Sequence, residues 1–383
     1  MSVTVVDTMD RRSFARRLWA VSWPLVLVVC AVAAVGTAML YSVAGGNFEP
    51  WAGRHATRFV AGLAMVFLIA SVPLRFWLAL AYPVYAVVLA LLVLVAVEGM
   101  EIGGATRWLS LGGMSFQPSE LAKVSIVLAL ARYYQWLPRE EFQSPAYVLM
   151  PLLLLGAPVA LVLSQPDLGT AALLLATGGT MIFLAGIGWW YIVAACAICA
   201  ATAPFAWSML HGYQKERVLT FLNPERDPLG LGYQIMQSKI ALGSGGFSGK
   251  GFMRGTQSQL DFLPEKHTDF LFTIIGEELG LIGTLSVLAL YVTILLLILG
   301  IALRCRSHAA RLLAAGAAAT LFFHLFVNAG MVMGVLPVVG APLPLISYGG
   351  TSMFAAMALI GLAMCAHVHR RELIDPKTVN PLI

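Results

Sequence analysis

Charged residues are scarce in this 383-residue chain: Asp, Glu, Lys and Arg make up 11% of it, whereas hydrophobic side chains make up 59%. This composition excludes a soluble globular domain, in which about a quarter of the residues are charged. Cysteine is scarce too, with five in all. One C-x-x-C pair, Cys196 and Cys199, has no second pair or histidine cluster beside it. We therefore interpret both cysteines as packing residues and predict no metal site from them.

Long uncharged apolar runs indicate a polytopic membrane protein, since about 20 apolar residues cross a bilayer. The runs lack the alternating pattern of membrane strands, so we predict an all-α fold of about ten transmembrane helices in a single domain, residues 1–383. The predicted spans are 19–43, 58–74, 76–97, 120–135, 146–163, 168–187, 189–209, 270–303, 312–335 and 346–367.

Lys and Arg in the short loops predict the orientation. Four arginines precede the first span. With the N-terminus inside, the same side gathers Arg75, Arg132, Arg139, Arg304, Arg306, Arg311, Arg370 and Arg371. Both termini are therefore expected in the cytoplasm, with the first span retained as an anchor and the long loop 210–268, between spans seven and eight, outside. The net charge of +5 suits anionic membrane lipids and does not indicate a nucleic acid partner.

Acidic residues gather at the start of the eighth span, in "DFLPEKHTDFLFTIIGEELG" (261–280), with five of the nineteen in the chain. Asp269 stands where the loop becomes a helix, so Thr268 or Asp269 could simply cap it. Glu277 and Glu278 follow with no basic residue nearby in sequence. A carboxylate at a water–lipid boundary, opposed by cations, could instead act as a general base. The outer face has no ATP, so such a reaction needs a pre-activated substrate, such as a lipid pyrophosphate.

A second outward-facing motif is "RWLSLGGMSFQPSELAK" (107–123). Glu120 and Lys123 are three residues apart on one helix face, which fits a structural ion pair and a functional pair equally well. Arg107 and Trp108 could be ordinary interfacial residues or substrate contacts.

Two further segments carry glycine or polar residues at membrane depth. "GSGGFSGKG" (243–251) fails the Walker pattern, and we favour a flexible hinge over a phosphate cradle. The ninth span contains His324 and Asn328 four residues apart, for which we expect interhelical hydrogen bonds.

These stretches, with "SQPDLGT", "FLNPERDPLGLGYQIMQSKIALGSGGFSGKGF", "FLPEKHTDFLFTIIGEELG" and "PLPLISYGGTSM", resemble the SEDS proteins (shape, elongation, division and sporulation) over about residues 100–370. The stretch before Asp269 is more similar to the elongation branch than to the division branch. The resemblance implies a peptidoglycan glycosyltransferase that joins lipid II into glycan strands at the outer face of the bacterial plasma membrane and releases undecaprenyl pyrophosphate. It also implies a class B penicillin-binding protein and other elongation-complex proteins as partners.

The resemblance places the essential acid of the family on Asp269, where it would take a proton from the acceptor 4-hydroxyl or orient that group. It places the Glu-Lys pair on Glu120 and Lys123, and the Arg-Trp pair on Arg107 and Trp108. Lys123 is expected either to hold Asp269 or to meet the donor pyrophosphate. A divalent cation such as Mg²⁺ or Mn²⁺ could assist the leaving group. Further supporting residues are expected at Lys250, Arg254, Glu265, His267, Gln237 and Ser347.

Two other functions fit the same topology. A lipid II flippase would use ten spans and intramembrane polar residues, but the charges here crowd one face instead of forming a continuous path. A non-catalytic scaffold for the penicillin-binding protein would not require Asp269.

Overall fold

A computed structural model describes residues 19–102, 105–111, 114–138, 144–209, 212–227, 230–260 and 262–374. Helices account for most of this part of the chain. They are α1 Trp23–Val43, α2 Ala52–Ser71, α3 Leu74–Glu98, α4 Pro118–Trp136, α5 Pro145–Ser164, α6 Leu168–Ala185, α7 Trp189–Met209, α8 Gly212–Leu222, α9 Leu231–Ser244, α10 Thr256–Gln259, α11 Leu271–Arg304, α12 His308–Val332 and α13 Gly350–Val368.

Each predicted span overlaps one of these helices, and seven helices of the described residues are long and apolar enough to cross a membrane: α1, α3, α5, α6, α11, α12 and α13. The chain is therefore a multi-pass membrane protein. Two of the other predicted spans, α2 and α4, carry charged residues within the helix. The start of α2 at Ala52 was missed because Arg54 and His55 make its first turn look like a loop.

A small antiparallel sheet departs from the all-α prediction. It is formed by β1 Met100–Ile102, β2 Ala105–Leu111 and β3 Met114–Phe116, in the order β1-β2-β3. Trp108 pairs with Met100, and Leu109 pairs with Phe116. Strands of three to seven residues are too short for a hydropathy window to detect. Their effect is to fix Arg107 and Trp108 on ordered backbone directly before α4.

Small residues bring α12 into the interior of the bundle. Its sequence "ARLLAAGAAAT" is mostly alanine, and an added Cβ at Gly316 would lie 2.6 Å from the sulfur of Met181 in α6. Such close packing is how helices associate where lipid offers no hydrophobic driving force. As a result, α12 presents its polar side chains to α4 and to the segment before α13.

A glycine breaks the long helix α11. Gly280 has φ +65°, and an added Cβ there would lie 2.3 Å from the backbone nitrogen of Gly249. The glycine-rich segment 245–251 fills this break: Lys250 N donates to Glu277 O at 3.0 Å, and Leu281 N donates to Gly246 O at 2.9 Å. The interpretation of this segment as a flexible hinge is therefore wrong, because its glycines permit close approach to α11.

Candidate functional site

Asp269 lies at the junction of the 262–270 segment and α11, and its side chain is partly buried. Its Oδ2 atom is 3.4 Å from the position of an added Cβ on Gly340. Asn328 of α12 donates through Nδ2 to the carbonyl oxygens of Asp269, at 2.9 Å, and of Ala341, at 2.8 Å. Neither Thr268 nor Asp269 caps α11, whose N-cap is Phe270, so the capping interpretation is wrong. The acid is left available for another role.

The surroundings of Asp269 favour its protonated form near neutrality. Burial, followed by the carboxylate of Glu265, raises the pKa of Asp269 to about 7 against the opposing charges of Arg217 and Arg107. A carboxylate that exchanges its proton near pH 7 is suited to general base catalysis. The two arginines place positive charge at the same site.

Arg107 is held by the loop between α5 and α6. Its Nη2 donates to Pro166 O at 2.8 Å, and its Nη1 lies 3.8 Å from Asp167 Oδ1. Asp167 is itself fixed, because its Oδ1 accepts from Thr170 N at 3.1 Å and caps α6. Trp108, the next residue along β2, is half-buried. The motifs "RWLSLGG" and "SQPDLGT" therefore meet in space, and their contact sets the position of the arginine that acts on Asp269.

Lys123 forms a buried polar cluster with Glu120 and His324, away from contact with Asp269. Its Nζ donates to Glu120 Oε1 at 2.7 Å and lies 2.6 Å from His324 Nε2, and its exposed fraction is 1%. Of the two expected roles of Lys123, the structure shows contacts with Glu120 and His324 in place of Asp269, and contact with the donor pyrophosphate stays a prediction. The interhelical hydrogen bond expected for His324 is confirmed by this contact, which joins α12 to α4. Because His324 Nδ1 also faces Pro342 O at 3.4 Å, the cluster supports the segment that packs on Asp269.

Lys250 is occupied by an ion pair instead of facing an open site. Its Nζ is 2.7 Å from Glu277 Oε1, an atom that also accepts from Gln257 N at 3.0 Å. Glu278 accepts from Ser42 Oγ at 2.7 Å. The two buried acids thus find distant partners. Lys250 and Arg254 were expected as supporting residues; the structure pairs Lys250 with Glu277 and leaves Arg254 exposed, and a role for them toward the substrate stays a prediction.

His267 and Glu265 flank Asp269 in the same segment. The His267 ring stacks on Trp51, the N-cap residue of α2, with centroids 4.7 Å apart and planes at 18°. Burial lowers the pKa of His267. Glu265 accepts a hydrogen bond from Thr268 Oγ1 at 2.8 Å. Glu265 is exposed and acts on Asp269 through its charge, and the expectation that both residues support the site stays a prediction.

The last two predicted residues have different surroundings. Ser347 is buried and its Oγ accepts from Leu343 N at 3.0 Å, which stabilises the segment before α13. Gln237 is half-buried in α9. Its neighbour Ser238 makes the buried contacts of that turn, to Thr273 at 2.8 Å and to Val332 O at 2.9 Å. Ser347 therefore acts through backbone structure, and no contact joins Gln237 to Asp269 within the described residues.

The sequence analysis did not identify Arg217 or the two hydrogen bonds that Asn328 donates to Asp269 O and Ala341 O. Arg217 lies on α8, about fifty residues from Asp269 in sequence, and no local pattern singles it out among the arginines of the chain. Asn328 was noticed for its spacing from His324, but its acceptors were not predictable from spacing.

No group of three or more His, Cys, Asp or Glu residues in the described ranges could hold a metal ion. The side chains of Cys196 and Cys199 lie outside the described residues.

The fold and site define a polytopic helical membrane protein with a partly buried carboxylate and two arginines at one end of its helix bundle. The chain belongs to the FtsW, RodA and SpoVE family, described as cell cycle proteins, whose model matches residues 17–372.

Several relatives share most of the chain. It is 43% identical over 353 residues to the peptidoglycan glycosyltransferase MrdB of Escherichia coli (strain K12), covering 91% of this chain and 94% of that one. It is 37% identical to the probable peptidoglycan glycosyltransferase FtsW of Idiomarina loihiensis, covering 86% and 80%.

Solved structures show the same fold. A chain from a peptidoglycan synthase complex, described as coordinating polymerization and crosslinking, matches with a TM-score of 0.79 at 38% identity, covering 92% of this chain and 99% of that one. The Rod shape determining protein RodA of Thermus thermophilus matches with a TM-score of 0.69 at 30% identity, covering 92% and 98%.

Proposed function

We propose that this chain is a peptidoglycan glycosyltransferase that joins lipid II into glycan strands during cell elongation and releases undecaprenyl pyrophosphate. The observation that carries the proposal is a carboxyl group with a pKa of about 7, Asp269, beside the cations Arg107 and Arg217. Family membership and the names of the relatives support the same activity.

In this proposal Asp269 accepts the proton of the acceptor sugar's 4-hydroxyl. The oxygen then forms a bond to the anomeric carbon of the donor as the bond from that carbon to the diphosphate breaks. The diphosphate departs with the electron pair, and its charge is met by Arg107 and Arg217, because guanidinium groups bind phosphate oxygens in pairs. Preorganised cations act most strongly where charge develops in the transition state.

A divalent cation such as Mg²⁺ or Mn²⁺ stays a prediction. Mg²⁺ is commonly held by one or two carboxylates together with substrate phosphates. Asp269 and Glu265 are the carboxylates that would hold it here, and the ion would neutralise charge on the diphosphate.

The proposal places the protein in the bacterial plasma membrane, with both termini cytoplasmic and the 210–268 loop outside. In this orientation the arginine-rich loops lie inside, and Asp269 faces the compartment in which glycan strands are made. A class B penicillin-binding protein and other elongation-complex proteins would be its partners, which is supported by the similarity to a chain from a peptidoglycan synthase complex.

The experiment is polymerisation of labelled lipid II by the purified wild-type protein in liposomes, alone and with its transpeptidase partner. Long glycan strands are expected. If lipid II crosses the membrane without forming glycan, the flippase function takes the place of the proposed one. If neither occurs in a folded, partner-bound protein, the chain is a scaffold.

A further inference from the structure

A row of aromatic and cationic side chains runs from α2 to the segment that carries Asp269. Trp51 stacks on His267, the His267 and Tyr348 rings lie 6.1 Å apart, and the Arg58 guanidinium carbon lies 4.7 Å from the centre of the Tyr348 ring. Tyr348 N donates to His267 O at 2.9 Å, which joins the row to the backbone two residues before Asp269. Tryptophan and tyrosine faces suit sugar rings and cations alike.

Arg58 is the cation of this row, and it forms no ion pair with a carboxylate of the described residues. It is also half-buried. Arg54, one turn earlier on the same helix, is exposed and lies 3.6 Å from Glu49. The Arg58 guanidinium lies over the Tyr348 ring, a contact that does not use its N–H groups, and these groups can bind phosphate oxygens.

The N-terminal end of α13 adds a second positive feature facing Arg58. An added Cβ on Gly350, the first residue of α13, would lie 3.3 Å from the guanidinium carbon of Arg58. The N-cap residue Gly349 has no side chain to accept from the free N–H groups of the first turn. Arg58 and this helix end therefore bring positive charge from two elements to one place, where an anion would be stabilised.

We propose that Arg58 binds a phosphate of the diphosphate in a lipid-linked sugar, with the Trp51–His267 stack beside the sugar. This inference rests on the proposed function and extends it, because it assigns a substrate contact to α2. The row includes His267, two residues before Asp269 in the same segment, so a sugar diphosphate bound there is proposed to have its rings near the general base. The same phosphate chemistry is offered by ordinary phospholipid headgroups, which the experiment separates.

The test is the binding of fluorescent lipid II to Asp269→Asn protein, which binds without turning the substrate over. Adding Arg58→Gln is expected to raise Kd by about ten- to a hundredfold, the range for the loss of one charge-assisted hydrogen bond. Adding Arg54→Gln, which removes the same charge from the same helix, is expected to change Kd by less than about twofold. Arg58→Lys keeps the positive charge but lacks the planar guanidinium group, so its Kd should lie between those of the other two variants.

Equal Kd values for the Arg58→Gln and Arg54→Gln proteins, both with wild-type melting, would overturn the inference. Displacement of lipid II by an equal concentration of phosphatidylglycerol would also overturn the inference, because the site would then bind phospholipid headgroups in general. Absence of lipid II binding even with Arg58 intact would instead refute the proposed function.

Discussion

The ionisation of Asp269 predicts how the polymerisation rate depends on pH. A general base works only when deprotonated, and with a pKa of about 7 only about 3% of Asp269 is ionised at pH 5.5 and about 90% at pH 8. An aspartate with its ordinary pKa would be about 98% ionised already at pH 5.5. The initial rate of glycan synthesis should therefore rise about thirtyfold between these two pH values, with its midpoint near pH 7.

Two neighbours allow this midpoint to be assigned to Asp269. Glu265 raises the pKa of Asp269 and Arg217 lowers it. Glu265→Gln should therefore move the rising limb to lower pH, and Arg217→Gln should move it to higher pH. Because Arg217 is also proposed to meet the diphosphate, the shift in Glu265→Gln is the one that assigns the midpoint to Asp269.

The ionisation of Asp269 does not itself make the protein less stable at low pH, as the sign of the linkage shows. The folded state holds the Asp269 proton more tightly than the unfolded state, so this group makes the protein less stable as pH rises from about 4 to about 7. Melting at pH 5.5 should show no loss of stability from Asp269. A rate that stays flat from pH 5.5 to 8, or a midpoint that neither variant moves, would refute the reasoning.

Two structural predictions concern the supports of the site. Lys123→Met leaves Glu120 buried without its cation and should lower the free energy of unfolding by about 3–5 kcal/mol. Adding Glu120→Gln should recover part of this loss. If Lys123→Met unfolded at the same denaturant concentration as the wild type, the buried ion pair would be contradicted. Gly249→Ala introduces a Cβ 2.1 Å from Glu278 O at φ +78° and should cost about 2–4 kcal/mol. The control is Gly243→Ala, which has open space around the added Cβ and should be neutral or stabilising by up to about 1 kcal/mol. Equal melting temperatures for the two alanine variants would disprove the close approach of Gly249 to α11.

Much of the helical architecture was predictable, because the hydrophobic length of a span is a local property. Hydropathy gave helices wherever the structure has a long apolar one. It missed the first turn of α2 and the short sheet that carries Arg107, since charge and short length hide both from a window of about 20 residues.

The predicted site divides in the same way. Asp269 and Glu265 are neighbours in sequence, so their proximity in space followed directly. Whether Lys123 meets Asp269 depends on how α4 packs on α12, and spacing alone left this open. The structure pairs Lys123 with His324. The contributions of Arg217 and Arg58 arise where segments distant in sequence meet, and a single sequence contains no signal for such meetings.

The most direct test of the account compares glycan synthesis from labelled lipid II by wild-type and Asp269→Asn proteins with the transpeptidase partner present. The amide keeps the size of the side chain but cannot accept the proton. The account predicts that the variant melts like the wild type, still binds lipid II, and makes glycan at least about a hundredfold more slowly. A variant that polymerises within a few-fold of the wild-type rate would contradict the assignment of Asp269 as the general base.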